Sequence, residues 1–289
     1  MDWVRIEQDP FDKREFTIDF RHRRPCDLTV RQAVDNYIDR IVDLYPPPYT
    51  IFASGGVDSQ ATILAWLQSG KKFDIVSIRY ENDFNYHDIK YLEQFSKRHG
   101  VEINYLDFCV TEFLETQLKD YVYTYNCTSP QICTHMAFSE LVPEGTVIFS
   151  GMMIIGSPMY GSEFVPELLG LYNYKKIKRN ALIPLFFMED QDVVSAFLNM
   201  QERFPKRGGE PYGYKIEYYK QAGYDIIKQE ERYTGFEKIK EFYKTKPWLA
   251  TPMEKMRWSG MPSKWTFDLA FRYKWYDDLG YFIKKTQLI

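Results

Sequence analysis

The chain has 289 residues and a formal net charge of −3, with 45% hydrophobic and 27% charged residues. This composition supports one large folded domain, or a domain with a sizeable extension, and excludes a largely disordered chain. The longest uncharged run, 145–162, is broken by four glycines and a proline, and is unsuited to a membrane-spanning helix.

Localisation is expected to be cytoplasmic, with no membrane partner. The first residues lack the basic and then apolar pattern of a signal peptide. Four cysteines in a chain of this length do not indicate a disulfide framework. Cys127, Cys133 and His135 lie close in sequence, but their spacing matches no zinc-site pattern. A metal site and a redox or sulfur-carrying pair at these residues both stay open.

The first 48 residues are interpreted as a strand and a helix that pack on the core. Alternation over 15–20 predicts a short strand. Thr29 is a predicted helix cap, because apolar residues follow at helical spacing as far as Val42. The three prolines 46–48 end that helix.

From Tyr49 onward, strand-like and helix-like segments alternate, and we assign 49–204 to a nucleotide-binding core. This alternation predicts an α/β fold with a parallel twisted sheet and helices on both faces. Ligands bind such sheets at the carboxyl ends of the strands. The predicted strands are 49–53, 74–80, 101–108 and 147–149. The predicted helices are 61–68, 85–99, 112–120, 130–141, 164–171 and 192–203.

Residues 205–289 form a predicted helical extension that is basic and aromatic. They carry 17 Lys+Arg, 11 Asp+Glu and 19 aromatic residues. Positive charge with stacking surfaces is typical of nucleic-acid binding. The spacing of Trp265, Phe267, Phe271 and Trp275 equally fits a buried stripe. A second basic run, 175–179, is interpreted as a solvated face.

A glycine-rich turn follows the first core strand and opens a helix. Such a turn presents free backbone N–H groups and the positive end of a helix dipole to an anion. Its glycines let an oxyanion approach the main chain, and its serines add hydroxyl donors. A carboxylate at Asp58 would repel phosphates unless a cation lies between, so we expect Asp58 to bind Mg²⁺. The turn reads Ser54-Gly55-Gly56-Val57-Asp58-Ser59.

These six residues match the SGGxDS signature of the PP-loop ATP pyrophosphatases. Over about 30–240, the order of features resembles the synthetase domain of asparagine synthetases. The later strand that ends in Gly151 and the segment 179–190 follow that family's pattern. The resemblance implies an adenine nucleotide alpha hydrolase-like (HUP-type) fold that cleaves ATP between its α- and β-phosphates.

The resemblance also implies the site residues and the cofactors ATP and Mg²⁺. Ile78 would lie against the adenine, Gly151 would border the nucleotide, and Asp58 would hold the metal. Lys228 and Arg232 are candidates for the family's basic residue that neutralises pyrophosphate, with surface ion pairs as the alternative. The residues implied to hold pyrophosphate are Ser54, Gly55, Gly56, Val57, Asp58 and Ser59.

The acceptor side departs from the family pattern. Apolar residues 152–155 stand where the family has acidic residues, which makes an aspartate substrate doubtful. Glu163 is either a replacement carboxylate or a plain charge at a helix start. Asp2 stands where a glutaminase domain would need its nucleophilic cysteine, so nitrogen would come from ammonia, an amine or a separate ammonia-supplying protein.

The leading hypothesis is an ATP-dependent, AMP-forming ligase that adenylates a carboxylate or carbonyl, followed by attack of an amine or ammonia. The acceptor would be a small molecule or a nucleobase. One alternative is a PP-loop enzyme that modifies tRNA or another nucleic acid through the basic C-terminal part. The other is a nucleotide-binding protein that has lost its chemistry.

Overall fold

A computed structural model describes 4–5, 17–19, 25–125, 127, 130–142, 144–151, 162–164, 166–203, 211–229, 235 and 238–239. The strands are β1 (Val4–Arg5), β2 (Thr17–Asp19), β3 (Tyr49–Phe52), β4 (Asp74–Tyr80), β5 (Asn104–Phe108), β6 (Thr146–Phe149), β7 (Ser162–Phe164) and β8 (Leu182–Ile183). The helices are α1 (Val30–Leu44), α2 (Val57–Ser69), α3 (Tyr86–His99), α4 (Val110–Thr116), α5 (Leu118–Tyr125), α6 (Pro130–Ser139), α7 (Pro166–Ile177), α8 (Gln191–Arg203) and α9 (Pro211–Gln221).

Five strands form a parallel sheet in the order β5-β4-β3-β6-β8. β3 is central, and its last residue, Phe52, is in register with Val76 of β4 and Phe149 of β6. The carboxyl ends of these strands therefore share one edge of the sheet, which we call the carboxyl edge. The turn after β3 lies at this edge, between the ends of its two neighbours.

Side chains alternate between two hydrophobic cores, one on each face of the sheet. Ile51, Ile75 and Ile148 pack with α1, α2, α3 and α9, on what we call the first face. Phe52 and Val76 pack with α4 to α7, on the second face. The predicted fold, a parallel sheet with helices on both faces, is confirmed.

The local signals for helix starts and ends act as predicted. Thr29 forms a capping box with Gln32, since its hydroxyl accepts from the Gln32 N–H at 3.3 Å while its own N–H donates to Gln32 Oε1 at 3.0 Å. Gly70 and Gly100 end α2 and α3 in the left-handed conformation, with φ of 70° and 64°. These residues fix where both helices of the first two crossovers finish.

A separate three-stranded antiparallel sheet has the order β1-β2-β7. In this sheet Glu163 pairs with Ile18. The predicted helix start near Phe164 is therefore wrong, because Phe164 ends a strand and α7 begins at Pro166. Strand pairing with a segment more than 140 residues earlier overrides the local signal. The strand predicted over 15–20 is present as β2.

The basic run 175–179 is only partly solvated. Lys175 Nζ lies 3.6 Å from a carboxylate oxygen of the buried Glu189 and donates to the Tyr45 hydroxyl at 3.1 Å. Arg179 donates to the carbonyls of Ser139 and Gly145, at 2.6 and 3.2 Å. The solvated-face interpretation is wrong for these two residues, which join α7 to neighbouring elements instead.

The described residues after α9 include members of both hydrophobic cores. Ile226 is buried in the core of the first face and Ile239 in the core of the second. Between them, Gln229 donates to the Gly55 carbonyl, and a β-carbon at Gly235 would lie 2.9 Å from Asn85 Cβ. Both contacts are at the carboxyl edge of the sheet.

Much of the predicted C-terminal extension, including its four tryptophans, lies outside the described residues. The division into 1–48, 49–204 and 205–289 stays a prediction. Within the described part of the chain, every helix is too short or too polar to cross a bilayer.

Candidate functional site

The turn after β3 leaves the start of α2 open to an anion. Gly56 is the N-cap of α2 and supplies no side chain to cap the first N–H groups. Gly55 has φ of +78°, and a β-carbon there would lie 2.3 Å from the Asp88 carbonyl oxygen of α3. Only glycine fits this position, because α3 packs directly against the turn. The open N–H groups and the dipole of α2 together favour a bound oxyanion.

Three hydroxyl groups converge beside the turn. Ser59 Oγ accepts from the Ser54 N–H at 3.1 Å and lies 3.1 Å from Ser54 Oγ. It also lies 3.3 Å from the hydroxyl of Ser150, which directly follows β6. The sequence predicted Ser54 and Ser59 as site residues but missed Ser150. The parallel pairing of β3 with β6 brings it there, and this pairing has no local sequence signal.

Asp58, in the first turn of α2, accepts two bonds from α9. Lys215 Nζ lies 2.5 Å from Asp58 Oδ2, and the Tyr219 hydroxyl donates to Asp58 Oδ1. Lys215 and Tyr219 are one turn apart on α9 and therefore face the same way. Helix α9 thus presents a cation and a hydroxyl to the opening of the glycine turn.

The ion pair is asymmetric in burial. The Lys215 side chain is 5% exposed, whereas that of Asp58 is 23% exposed. An ammonium taken this far out of water needs a counter-charge close by, and Asp58 supplies it. The sequence missed Lys215, since one of two lysines among the aromatic residues of α9 gives only a weak signal.

A buried amide ties the turn to the segment after α9. Gln60, fully buried in α2, donates through Nε2 to the Gly55 carbonyl at 2.8 Å and to the Ile227 carbonyl at 3.2 Å. Its Oε1 accepts from the Ile227 N–H at 2.7 Å. Gln229 Nε2 also donates to the Gly55 carbonyl, at 3.3 Å. The sequence missed both glutamines.

Two predicted nucleotide contacts have structural roles of their own. Ile78 is buried in β4, and its carbonyl accepts from Asn85 Nδ2 at 2.9 Å. Gly151 has φ of +61°, and a β-carbon there would lie 2.6 Å from Leu185 Cα. Packing against Leu185 is sufficient to require this glycine. The roles of Ile78 and Gly151 in binding a nucleotide stay predictions.

The other predicted residues are not brought together in the same way. Lys228 is exposed, although its neighbour Gln229 reaches the turn. Arg232 lies outside the described residues, as do 152–155 on the acceptor side. Glu163 lies in β7. The catalytic roles proposed for Lys228 and Arg232 therefore stay predictions.

The side chains at the turn fit a magnesium ion held mainly by phosphates. The described residues contain no cluster of three or more His, Cys, Asp or Glu that could hold a metal alone. Mg²⁺ commonly binds through one or two carboxylates together with substrate phosphates. The Asp58 side chain is 23% exposed in the first turn of α2 and is the carboxylate of the turn that could supply the protein's share of such a site.

Near the end of β6, the His135 ring of α6 stacks on Phe149, with centroids 6.0 Å apart. Burial lowers the pKa of His135 to about 4, so the imidazole is neutral at pH 7. Cys127 and Cys133 are both buried, and the Cys133 thiol donates to the Cys127 carbonyl at 3.7 Å. Burial raises the pKa of the Cys133 thiol. The Cys133 thiol is therefore not poised to react as a thiolate.

Solved structures resemble the chain at low similarity. The structure of NMN synthetase from Francisella tularensis is 10% identical, with a TM-score of 0.33, and covers 78% of this chain and 97% of that one. The U34-tRNA thiolase NcsA from Methanococcus maripaludis with its [4Fe-4S] cluster is 14% identical, with a TM-score of 0.30, and covers 70% and 80%.

A third structure is the glutamine-dependent NAD+ synthetase from Acinetobacter baumannii in complex with ADP. It is 16% identical, with a TM-score of 0.30, and covers 71% of this chain, which spans 46% of that one. TM-scores of this size do not by themselves define a shared fold. None of the curated proteins matches the chain.

Residues 30–153 match the model of the family described as asparagine synthase. The matched segment contains α1, β3, the whole glycine turn, α2 and β6. It thus includes the SGGVDS signature in the strand-turn-helix setting that the resemblance implied. Over residues 30–153, which are less than half of the chain, the sequence is thus similar to the asparagine synthase family.

Proposed function

We propose that this protein is an ATP-dependent, AMP-forming enzyme. A carboxylate or carbonyl oxygen of a small-molecule or nucleobase acceptor attacks the α-phosphate of ATP, and the bond to the β-phosphate breaks. Pyrophosphate leaves with the electron pair of that bond. An amine or ammonia then attacks the carbon bonded to the adenylated oxygen, loses a proton and displaces AMP.

The observation that carries this proposal is the buried cation beside an uncapped helix start. Lys215 Nζ lies 2.5 Å from Asp58, which is in the first turn of α2. Departing pyrophosphate gains negative charge, and a preorganised cation in a partly dry site stabilises such charge strongly. The N–H groups of the turn would bind the same phosphates. No protein nucleophile is needed for either step.

The residues of the turn and of α9 would have separate roles in binding and catalysis. The Gly55-Gly56 backbone and the hydroxyls of Ser54 and Ser59 would bind the two outer phosphates. Lys215 would move its charge from Asp58 toward pyrophosphate as the bond breaks, and Tyr219 would keep Asp58 oriented. When bound, Mg²⁺ would neutralise phosphate charge beside Asp58. Lys228 and Arg232 are proposed as further cations from the segment after α9.

The first experiment identifies the products formed from ATP. Purified protein is incubated with Mg²⁺ and ATP labelled at the α-phosphate, together with amino acids, nucleotides or tRNA, each with ammonia. Label in AMP with stoichiometric pyrophosphate is the expected result. Label in ADP would refute cleavage next to the α-phosphate. A product on tRNA would favour the nucleic-acid alternative, and ATP binding without turnover the non-enzymatic one.

Asp58→Ala tests the site assignment in the same assay. We expect pyrophosphate release to be lost, because the variant removes the predicted metal ligand and leaves Lys215 without its counter-charge. Asp39→Asn is the matched control, since Asp39 pairs with Lys71 at 2.7 Å on an exposed surface of the same face. It should release pyrophosphate at the wild-type rate. Unchanged activity in Asp58→Ala would reject the assignment.

A further inference from the structure

The carbonyl of Gly55 is held on the protein side of the glycine turn. It accepts from Gln60 Nε2 at 2.8 Å and from Gln229 Nε2 at 3.3 Å. Both glutamines are buried. A carbonyl that receives two side-chain amides in a buried position has a strongly fixed direction, because turning it outward would break both bonds.

The partners of Gln60 also fix its own orientation. Its two Nε2 hydrogens face the carbonyls of Gly55 and Ile227, and its Oε1 faces the Ile227 N–H. A flipped amide would set oxygen against oxygen and N–H against N–H. The side chain therefore bridges the turn and the segment 224–229 in one arrangement.

The direction of the Gly55 carbonyl sets the direction of the next N–H group. In a planar trans peptide, the C=O of one residue and the N–H of the next point in opposite directions. With the Gly55 carbonyl turned toward Gln60, the Gly56 N–H points toward the opening of the turn. There its described contact is the Ser54 hydroxyl, at the long distance of 3.4 Å.

We propose that Gln60 and Gln229 are positioning residues of the nucleotide site, holding the Gly55–Gly56 peptide so that its N–H faces the pyrophosphate part of ATP. Gln60 also makes this arrangement depend on the docking of 224–229. The segment 224–229 thereby supports the ATP site without contacting the nucleotide itself. This inference rests on the proposed function.

The test compares Gln60→Met with Gln68→Met. Methionine keeps the length and approximate volume of glutamine but removes the amide. Gln68 is the matched control, because it lies on the exposed end of the same helix and also donates to the segment after α9, to the Gly223 carbonyl at 3.3 Å. Calorimetry with ATP, inorganic pyrophosphate and adenosine measures the three dissociation constants.

We expect Gln60→Met to weaken the binding of ATP and of pyrophosphate about tenfold or more, and the binding of adenosine less than twofold. Gln68→Met should change none of the three constants. Hydrogen exchange without ligand should be faster in Gln60→Met for the backbone amides of 54–57. If Gln60→Met does not fold, Gln229→Met, which removes the longer of the two bonds to the Gly55 carbonyl and the contact with Asp88 Oδ1, should show the same order of effects at smaller size.

Two outcomes would overturn the inference while leaving the proposed function in place. One is ATP affinity in the glutamine variants equal to that of the wild type. The other is an equal loss of ATP and adenosine affinity, since this would indicate general loosening of the fold. If the wild-type protein itself binds neither ATP nor pyrophosphate, the proposed function and this inference both fall.

Discussion

In the Asp58–Lys215 ion pair, we predict that replacing Asp58 lowers the free energy of unfolding more than replacing Lys215. In Asp58→Asn the Lys215 ammonium, with 5% of its side chain exposed, loses its counter-charge, and such a buried charge costs about 3–5 kcal/mol of unfolding free energy. In Lys215→Met an apolar chain takes the buried position. Asp58 keeps the bond from Tyr219 and some contact with water, so this loss is about 1–2 kcal/mol.

Urea unfolding at pH 7 measures these losses. The double variant should lose clearly less than the sum of the two single variants, with a coupling energy of about 1–3 kcal/mol. The exposed pair of Asp39 and Lys71 is the control, and Asp39→Asn should cost about 1 kcal/mol or less. A loss in Lys215→Met as large as that in Asp58→Asn, or simple additivity, would refute the assignment of Lys215 as a buried charge paired with Asp58.

Two further predictions concern a glycine and a buried acid. Gly55→Ala should lower the unfolding free energy by about 1–3 kcal/mol more than Gly70→Ala. Both glycines have positive φ, but of the two only Gly55 would place the new β-carbon 2.3 Å from a backbone atom. Equal losses in urea unfolding would contradict this. Burial raises the pKa of Glu189 from 4.5 to about 7. Native Glu189 therefore keeps its proton between these pH values while the unfolded chain loses it, and stability falls by roughly 3 kcal/mol as pH rises through this window. Glu189→Gln should remove that fall between pH 5 and pH 8, and an unchanged pH dependence would exclude Glu189 as its source.

Features set by local chemistry could be predicted from the sequence. Examples are the cap at Thr29, the left-handed helix ends at Gly70 and Gly100, and the bounds of β4. Each of these follows from residues that are close in sequence. The glycine turn belongs to this class, because its glycines, serines and carboxylate are contiguous. Its place at the carboxyl edge followed from the alternation of strands and helices.

Features set by distant pairing could not be predicted. Lys215 meets Asp58 across 157 positions, and Gln229 meets Gly55 across 174. The residue pattern therefore predicts the basic residue near the turn at Lys228 or Arg232 rather than in α9. It also predicts a helix start just after Glu163, because the strand that contains Glu163 forms only by pairing with β2. Such contacts depend on the packing of whole elements, which a residue pattern does not encode locally.

The bonds that Ile227 and Gln229 make with Gln60 and the Gly55 carbonyl have a consequence for biosynthesis. A ribosome must release the polypeptide beyond position 229 before these bonds can form. Shorter translation products would therefore contain the whole glycine turn but lack the bonds that Ile227 and Gln229 supply.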